Sequence, residues 1–576
     1  MKRHLSWIFP AFLTLLVACS GQKHEPTVPE SSASIDPVYG GELNVGTVYV
    51  SLSALSWDPA DWAWKSNHDS GLVREQLLAA DLDKSVRKGG AYRFIADAYI
   101  PDDALRGELA EDWFFEDPLT LVFQLRKGVM FHAVPGVMDA REITAEDVVF
   151  SFETINQSPK RINLYFDHID SVEARDKYTV VFRFNTFNAE WPYRFGYGYY
   201  SGIVPRELAD ADAKKWQNLT GTGPYRLTRY IQGNLHQYDR IDDYWDTEEV
   251  NGQAYRVPFV DRINYRIIKD EATYLSALRT ARLDILESIR WEVVDHLKGT
   301  TPELKWNRWL STNGTFVALR VDEKPFDDIR VRRAMNLAIN QHEILEIFYG
   351  GHGQIMAYPQ HPEFGNYFQP LSEMPPSVQS LFEYDPDEAR RLLAQAGYPN
   401  GFETTMQLCA CSQAHMDLAP LIVSYLKEVG VRVKLETYEY ASFLSLMMSK
   451  QNGPAYLMSS GVSAPLTSLR KNFATGQTWN ASGYSNPEFD RRLKFAFETR
   501  DENERVKVIQ ELSSEILDEA PYIWLPTEYV YTAWWPWVRN YEGELRAGAV
   551  RPGPIYARIW IDEQMKREMG FSRGRQ

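Results

Sequence analysis

Apolar and polar residues alternate in short runs over much of the chain. GELNVGTVYV (41–50), LTLVFQLR (119–126), YTVVFRF (178–184) and VDRINYRII (260–268) are rich in β-branched and aromatic residues and are bounded by turn-forming or charged positions, the pattern of strands. Elsewhere the apolar spacing lengthens to three or four residues and signals helices. In ITAEDVVFSFETI (143–155), Val148, Phe152 and Ile155 share a face, and Thr144 followed by Asp147 predicts a capping box. In YDPDEARRLLAQAGYPNG (384–401), Asp385 is the cap, Pro386 the first helical residue and Gly397 the left-handed stop. Within 485–521, Asn486 and Asp501 open two successive helices and Pro521 closes the second. Strands alternating with helices predict a mixed α/β fold.

The first residues follow a different pattern. Lys2 and Arg3 precede a mostly apolar run that ends at Cys19, which is the layout of a secretory signal peptide. The run is shorter than the about 20 residues a spanning helix needs, and no later segment supplies one. Leu16-Val17-Ala18-Cys19 resembles the lipobox of bacterial lipoproteins, which implies lipidation at Cys19 after removal of residues 1–18. The Ser- and Pro-rich stretch 19–38 then reads as a flexible tether.

The chain is longer than one core supports, so two or three domains are expected. Its net charge of −16 argues against a nucleic-acid partner, because phosphate affinity comes from clustered Lys and Arg. HExxH, GxSxG and phosphate-cradling GxxxxGK[ST] motifs are missing from the sequence. Glu111-Asp112 and Glu146-Asp147 read as a turn and a helix start rather than as acid and base. His352 and His361 read as surface residues. Cys409 and Cys411 stand two apart on a strand and point to one face, so a disulfide between them would be strained. With His415 they would make a soft-metal site, but buried thiols acting as small hydrophobes are the expectation.

Five stretches, in order along the chain, carry a family resemblance. Residues 109–153, GTGPYRLTRY (221–230), PFDDIRVRRAMNLAINQHEI (325–344), YDPDEARRLLAQAGYPNGF (384–402) and NPEFDRRL (486–493) resemble the family 5 extracellular solute-binding proteins. That family supplies the dipeptide, oligopeptide and nickel receptors of ABC importers. The resemblance implies a two-lobed periplasmic-binding-protein fold of α/β class, with an extra third domain and discontinuous lobes joined by crossing hinge strands. Carried over, the first lobe takes 39–72, 200–315 and 526–576, the extra domain 73–199 and the second lobe 316–525. GTGPY (221–225) is placed near the interlobe crossing. The implied function is capture of a peptide or peptide-like solute for a permease and its ATPase, by a monomer that needs no cofactor and catalyses nothing. An oligosaccharide, an opine-like conjugate or a metal chelate is the alternative cargo, and an exported glycoside hydrolase is a more distant reading.

Seventeen Trp, 32 Tyr and 28 Phe make aromatic stacking the most informative candidate chemistry. Trp57, Trp62 and Trp64 crowd WDPADWAWKSN (57–67), and Tyr197 and Tyr199 share a face if RFGYGYYSG (194–202) is extended. YTAWWPWVRNY (531–541) is assigned to packing or importer docking. On the second lobe, Ser459, Ser460, Ser463, Trp479 and Asn480 are the ligand-facing candidates. Peptide-binding members of the family hold the ligand's terminal ammonium with an aspartate in this region. The matching stretch AYLMSSGVSAPLTSLRKNF (455–473) has serines instead, and residues 440–487 contain no Asp or Glu. A neutral, blocked or anionic ligand is therefore expected.

Overall fold

The computed structural model describes residues 36–47, 56–61, 67–96, 99–158 and 165–571. Cys19, Trp62 and Trp64 lie outside them. The chain enters through β1 (Glu42–Thr47) and then builds a four-stranded antiparallel sheet from β2 (Ala110–Asp117), β3 (Thr120–Leu125), β4 (Ile169–Ala174) and β5 (Thr179–Phe184), in the order β2-β3-β5-β4. Helix α1 (Ala145–Asn156) crosses between β3 and β4, and its Thr144–Asp147 capping box is present. Val148 and Ile155 are buried as the apolar spacing requires.

The chain then adds β6 (Tyr225–Ile231), β7 (Leu235–Arg240), β8 (Arg262–Ile267), β9 (Ile285–Ile289) and β10 (Lys305–Leu310) around β1. Two residues later β11 (Asn313–Leu319) begins a second sheet. After β12 (Gly353–Gln354) and α2 (Pro386–Gln395) come β13 (Glu403–Cys409), α3 (Gln413–Glu428), β14 (Arg432–Tyr438) and β15 (Ala455–Gly461). Helices α4 (Pro465–Phe473), α5 (Pro487–Glu498) and α6 (Glu502–Glu519) follow, then β16 (Tyr522–Trp524). The chain crosses back at Leu525-Pro526 into β17 (Thr527–Trp534). The first sheet has the order β6-β7-β8-β1-β9-β17-β10 with β12 beside β17, and the second has β14-β13-β15-β11-β16. This is the two-lobed architecture expected, with two connections crossing side by side. GTGPY does not lie at the crossing: it leads into β6, the edge strand farthest from β10 and paired only with β7.

Strand β11 shows why the second lobe has two cores. Phe316 and Ala318 face one side of its sheet and Val317 and Leu319 the other, and all four are buried. The first lobe and the four-stranded sheet share one continuous core. The YTAWWPWVRNY segment belongs to it: Trp534, Trp535 and Trp537 are buried, and the last two stack with centroids 4.5 Å apart.

Polar groups inside that core are matched in sets. Asp284, fully buried, accepts from Lys566 Nζ (2.8 Å), Trp537 Nε1 (2.9 Å) and Asn44 N (2.8 Å). Arg551 forms a bidentate pair with Glu108 at 2.5 and 2.7 Å, while Glu108 also accepts from Gln76 N. Glu75 lies nearby and accepts from Tyr244 Oη at 2.6 Å and from Trp245 Nε1. Desolvation, reinforced by Glu108, pushes the Glu75 carboxyl up to about 8, so it is protonated at neutral pH.

Two side-chain expectations are corrected. Cys409 and Cys411 form a disulfide instead of separate thiols. Strand β13 ends at Cys409, and the turn that follows brings the two Cα atoms to 5.1 Å, inside the range a disulfide spans and shorter than two extended residues. His361 is buried rather than on the surface, and desolvation lowers it to about 4.

Candidate interlobe binding site

The two lobes meet where the segment leaving the four-stranded sheet runs against the helices of the second lobe. After β5 the chain passes through Thr186, Ala189 and Glu190 into a helical turn, Pro192–Gly196. Opposite stands α4, which starts with Ala464 at its cap position and Pro465 in its first turn, and so has no side-chain cap of its own. Glu190 supplies one from the other side of the boundary. Its carboxylate accepts from Leu466 N (2.6 Å), from Thr467 N (3.0 Å) and from the Thr467 hydroxyl. Burial raises the Glu190 carboxyl, and Arg194, with Nη2 4.0 Å away, opposes that shift.

Arg194 is itself buried, between the Tyr165 ring (4.7 Å) and the Phe497 ring (5.4 Å) of α5. Around this centre Ala189 N donates to Phe497 O (2.7 Å), Thr186 Oγ1 to Glu498 Oε1 (3.0 Å), and Arg470 pairs with Asp167 (3.2 Å). The Arg500 guanidinium lies 3.7 Å over Phe187 and donates to the Pro118 carbonyl. The lobes are thus engaged, and Glu190 and Arg194 are both buried charged groups within the contact.

A second polar cluster lines the end of β15 beside the hinge. Ser459 Oγ lies 2.9 Å from Thr315 Oγ1 and 2.8 Å from His415 Nε2. Desolvation lowers His415 to about 4, leaving it neutral. Gly461 pairs with Asn313, the first residue of β11, and its carbonyl accepts from Lys471 Nζ at 2.6 Å. Lys471 lies 5.8 Å from the Trp479 ring, and desolvation brings its ammonium down to about 8.

The remaining candidates have other employment. Ser460 donates to Asn472 Oδ1 (3.0 Å), and the Asn480 amide donates to the carbonyls of Phe473, Ala474 and Tyr484, which closes the loop after α4. Ser463 offers its backbone N to Ser468 Oγ. Trp57 is buried in the first lobe, edge-on to Tyr230 at 5.2 Å. Tyr197 and Tyr199 do not share a strand face, because the preceding turn is helical; the Tyr197 hydroxyl bonds both N and O of Ile100, and Tyr199 is half-buried near Tyr193. Glu190 and Arg194 escaped the sequence reading. The signal for Glu190 was present on the other side: a Pro-started helix without a capping side chain needs an acceptor from elsewhere. Among the described residues, no group of three or more His, Cys, Asp or Glu side chains is placed to hold a metal ion, and no helix is long and apolar enough to cross a membrane.

Residues 104–480 match the model of the bacterial extracellular solute-binding proteins, family 5. Heme-binding protein A of Haemophilus influenzae is 28% identical over 450 residues, covering 73% of this chain and 78% of that protein. The dipeptide-binding protein of Escherichia coli is 25% identical over 442 residues, covering 72% and 79%. Among solved structures, the periplasmic binding protein DppA of Helicobacter pylori in complex with the peptide STSA superposes with a TM-score of 0.72 at 24% identity, over 91% of this chain and 99% of that one. AgaA of A. tumefaciens R10 in complex with agropinic acid gives 0.70 at 21%, over 91% and 99%.

Proposed function

Because the chain belongs to the bacterial extracellular solute-binding proteins of family 5, we propose that it is the substrate-binding receptor of an ABC importer, taking a peptide or peptide-like solute between its lobes. The observation that carries this reading is the hinge. Ser311-Thr312 and Leu525-Pro526 run between two lobes that each have their own sheet, and among the described residues β12 also reaches back from the second lobe to pair with the start of β17. Two short parallel connections allow rotation about one axis, and the Glu190 contact gives the closed position a defined set of bonds. Ligand that touches both walls shifts the population toward closure, and the importer's permease and ATPase subunits receive the closed form. The receptor is a monomer, and its work is binding and release without covalent change. Titration with a library of di- to pentapeptides should give a smaller radius of gyration by small-angle scattering at unchanged mass. An unchanged radius with a tightly bound peptide would sink the hinge mechanism.

We further propose that Cys19 carries the lipid that holds the receptor at the membrane, on the strength of the Leu-Val-Ala-Cys sequence and the polar tether behind it. Two acyl chains anchor stably where one does not. A Cys19→Ser variant is expected in the soluble fraction or as unprocessed precursor. Membrane association equal to that of the parent would refute the anchor.

A further inference from the structure

We propose that Lys471 is a ligand-binding residue that receives a carboxylate, so that the solute carries an anionic group at the hinge end of the site. This inference rests on the reading of the chain as a receptor for a peptide-like solute. Three observations support it. First, the Lys471 ammonium makes one hydrogen bond, to the Gly461 carbonyl, and faces the Trp479 ring, which leaves two of its three N–H donors without an acceptor among the described residues. The comparison with Lys450 on the same lobe is instructive: that ammonium is saturated by the carbonyls of Gln477, Thr478 and Asn480 at 2.6–3.0 Å.

Second, among the described residues no carboxylate pairs with Lys471. Desolvation alone accounts for its lowered pKa, with no contribution from any carboxylate, whereas Lys450 has Asp322 nearby. The cause is visible in the sequence, since the 48 residues 440–487 that surround Lys471 in the chain contain no Asp or Glu. A desolvated cation held beside a carbonyl and an aromatic face is costly unless a counter-charge arrives.

Third, the position suits a ligand. The carbonyl that holds Lys471 belongs to Gly461, whose register partner Asn313 is exposed and is the first residue after the crossing, and Val462 N bonds Thr312 O of the connection itself. Trp479 beside it is half-buried and neutral, so an aromatic surface stands next to one positive point. A free ammonium on the ligand meets a like charge there, while a carboxylate gains a charge-assisted bond.

The test uses tri- to pentapeptides, each prepared as the N-acetylated acid and as the N-acetylated C-terminal amide, titrated calorimetrically against the full chain, Lys471→Met and Lys471→Gln. The acids should bind at least tenfold more tightly than the amides, and both variants should erase that difference. Equal binding of acid and amide, or an acid preference that survives in both variants, overturns the assignment of Lys471 while leaving the receptor reading intact, because peptides still bind. Absence of binding by any peptide, with no compaction in scattering, overturns the peptide-like reading and this inference together.

Discussion

Glu190→Ala is expected to weaken ligand affinity by roughly tenfold to a hundredfold and to leave the receptor mostly open. The carboxylate makes three hydrogen bonds to the start of α4, and these exist only when the lobes are engaged. Hydrogen bonds to a charged group contribute about 1.5–3 kcal/mol. If the closed form is a minor population without ligand, the whole of that loss appears in the apparent dissociation constant, at a factor of ten per about 1.4 kcal/mol. The alanine variant also strands Arg194, whose Nε and Nη2 already lack acceptors, so the buried guanidinium is left further from a counter-charge. Glu190→Gln keeps one carbonyl oxygen as acceptor and should recover part of the affinity. Calorimetry and the radius of gyration of the ligand-free form report the effect. Parental affinity and dimensions in Glu190→Ala would show that the contact does not govern closure.

The largest stability effect is expected at Arg551. Its bidentate pair with Glu108 is fully buried and ties the C-terminal segment to the residues that lead into the first strand of the four-stranded sheet, with a further bond from Nε to Gly71 O. Removing one partner of such a pair leaves an uncompensated buried charge and costs about 3–5 kcal/mol. Arg551→Met should therefore lower the melting temperature strongly. The double variant Arg551→Met/Glu108→Leu removes both charges and should be clearly more stable than the single one. A double variant no better than Arg551→Met would mean that packing, rather than the ion pair, carries the cost.

Local signals in the sequence were reliable where one stretch decides its own structure. The caps at Thr144, Asp385, Asn486 and Asp501 are all formed, and Gly397 has the positive φ of 94° that a left-handed stop requires. The two-lobed fold was legible through the five family stretches. What the sequence could not show is what depends on residues distant in the chain. Glu190 and Leu466 are hundreds of positions apart, and neither local pattern names the other. The aromatic segment 194–202 read as extended because its tyrosines alternate, but Pro192 and the packing of Phe195 against Phe182, stacked at 4.2 Å, favour a helical turn. The charge-poor stretch 440–487 was visible from composition. That its lysines differ, one saturated by carbonyls and one not, follows only from where the loop 474–484 folds back.

The pairing of β10 with β17 has a consequence for synthesis. These two neighbouring antiparallel strands are a hairpin whose loop is residues 311–526, an entire lobe. Closing so long a loop costs about 3–4 kcal/mol more than closing a tight turn, because the entropy grows only with the logarithm of length. Timing is the greater burden. Strand β17 fits between β9 and β10, so both present bare edges until the last tenth of the chain has emerged, while the inserted lobe has every strand of its own sheet by residue 524. The lobe translated second is therefore the one able to finish first, and the earlier one waits with strand edges open to mispairing and aggregation. For an exported chain, that interval is when a holding chaperone matters most, and truncation before Thr527 would prolong it indefinitely.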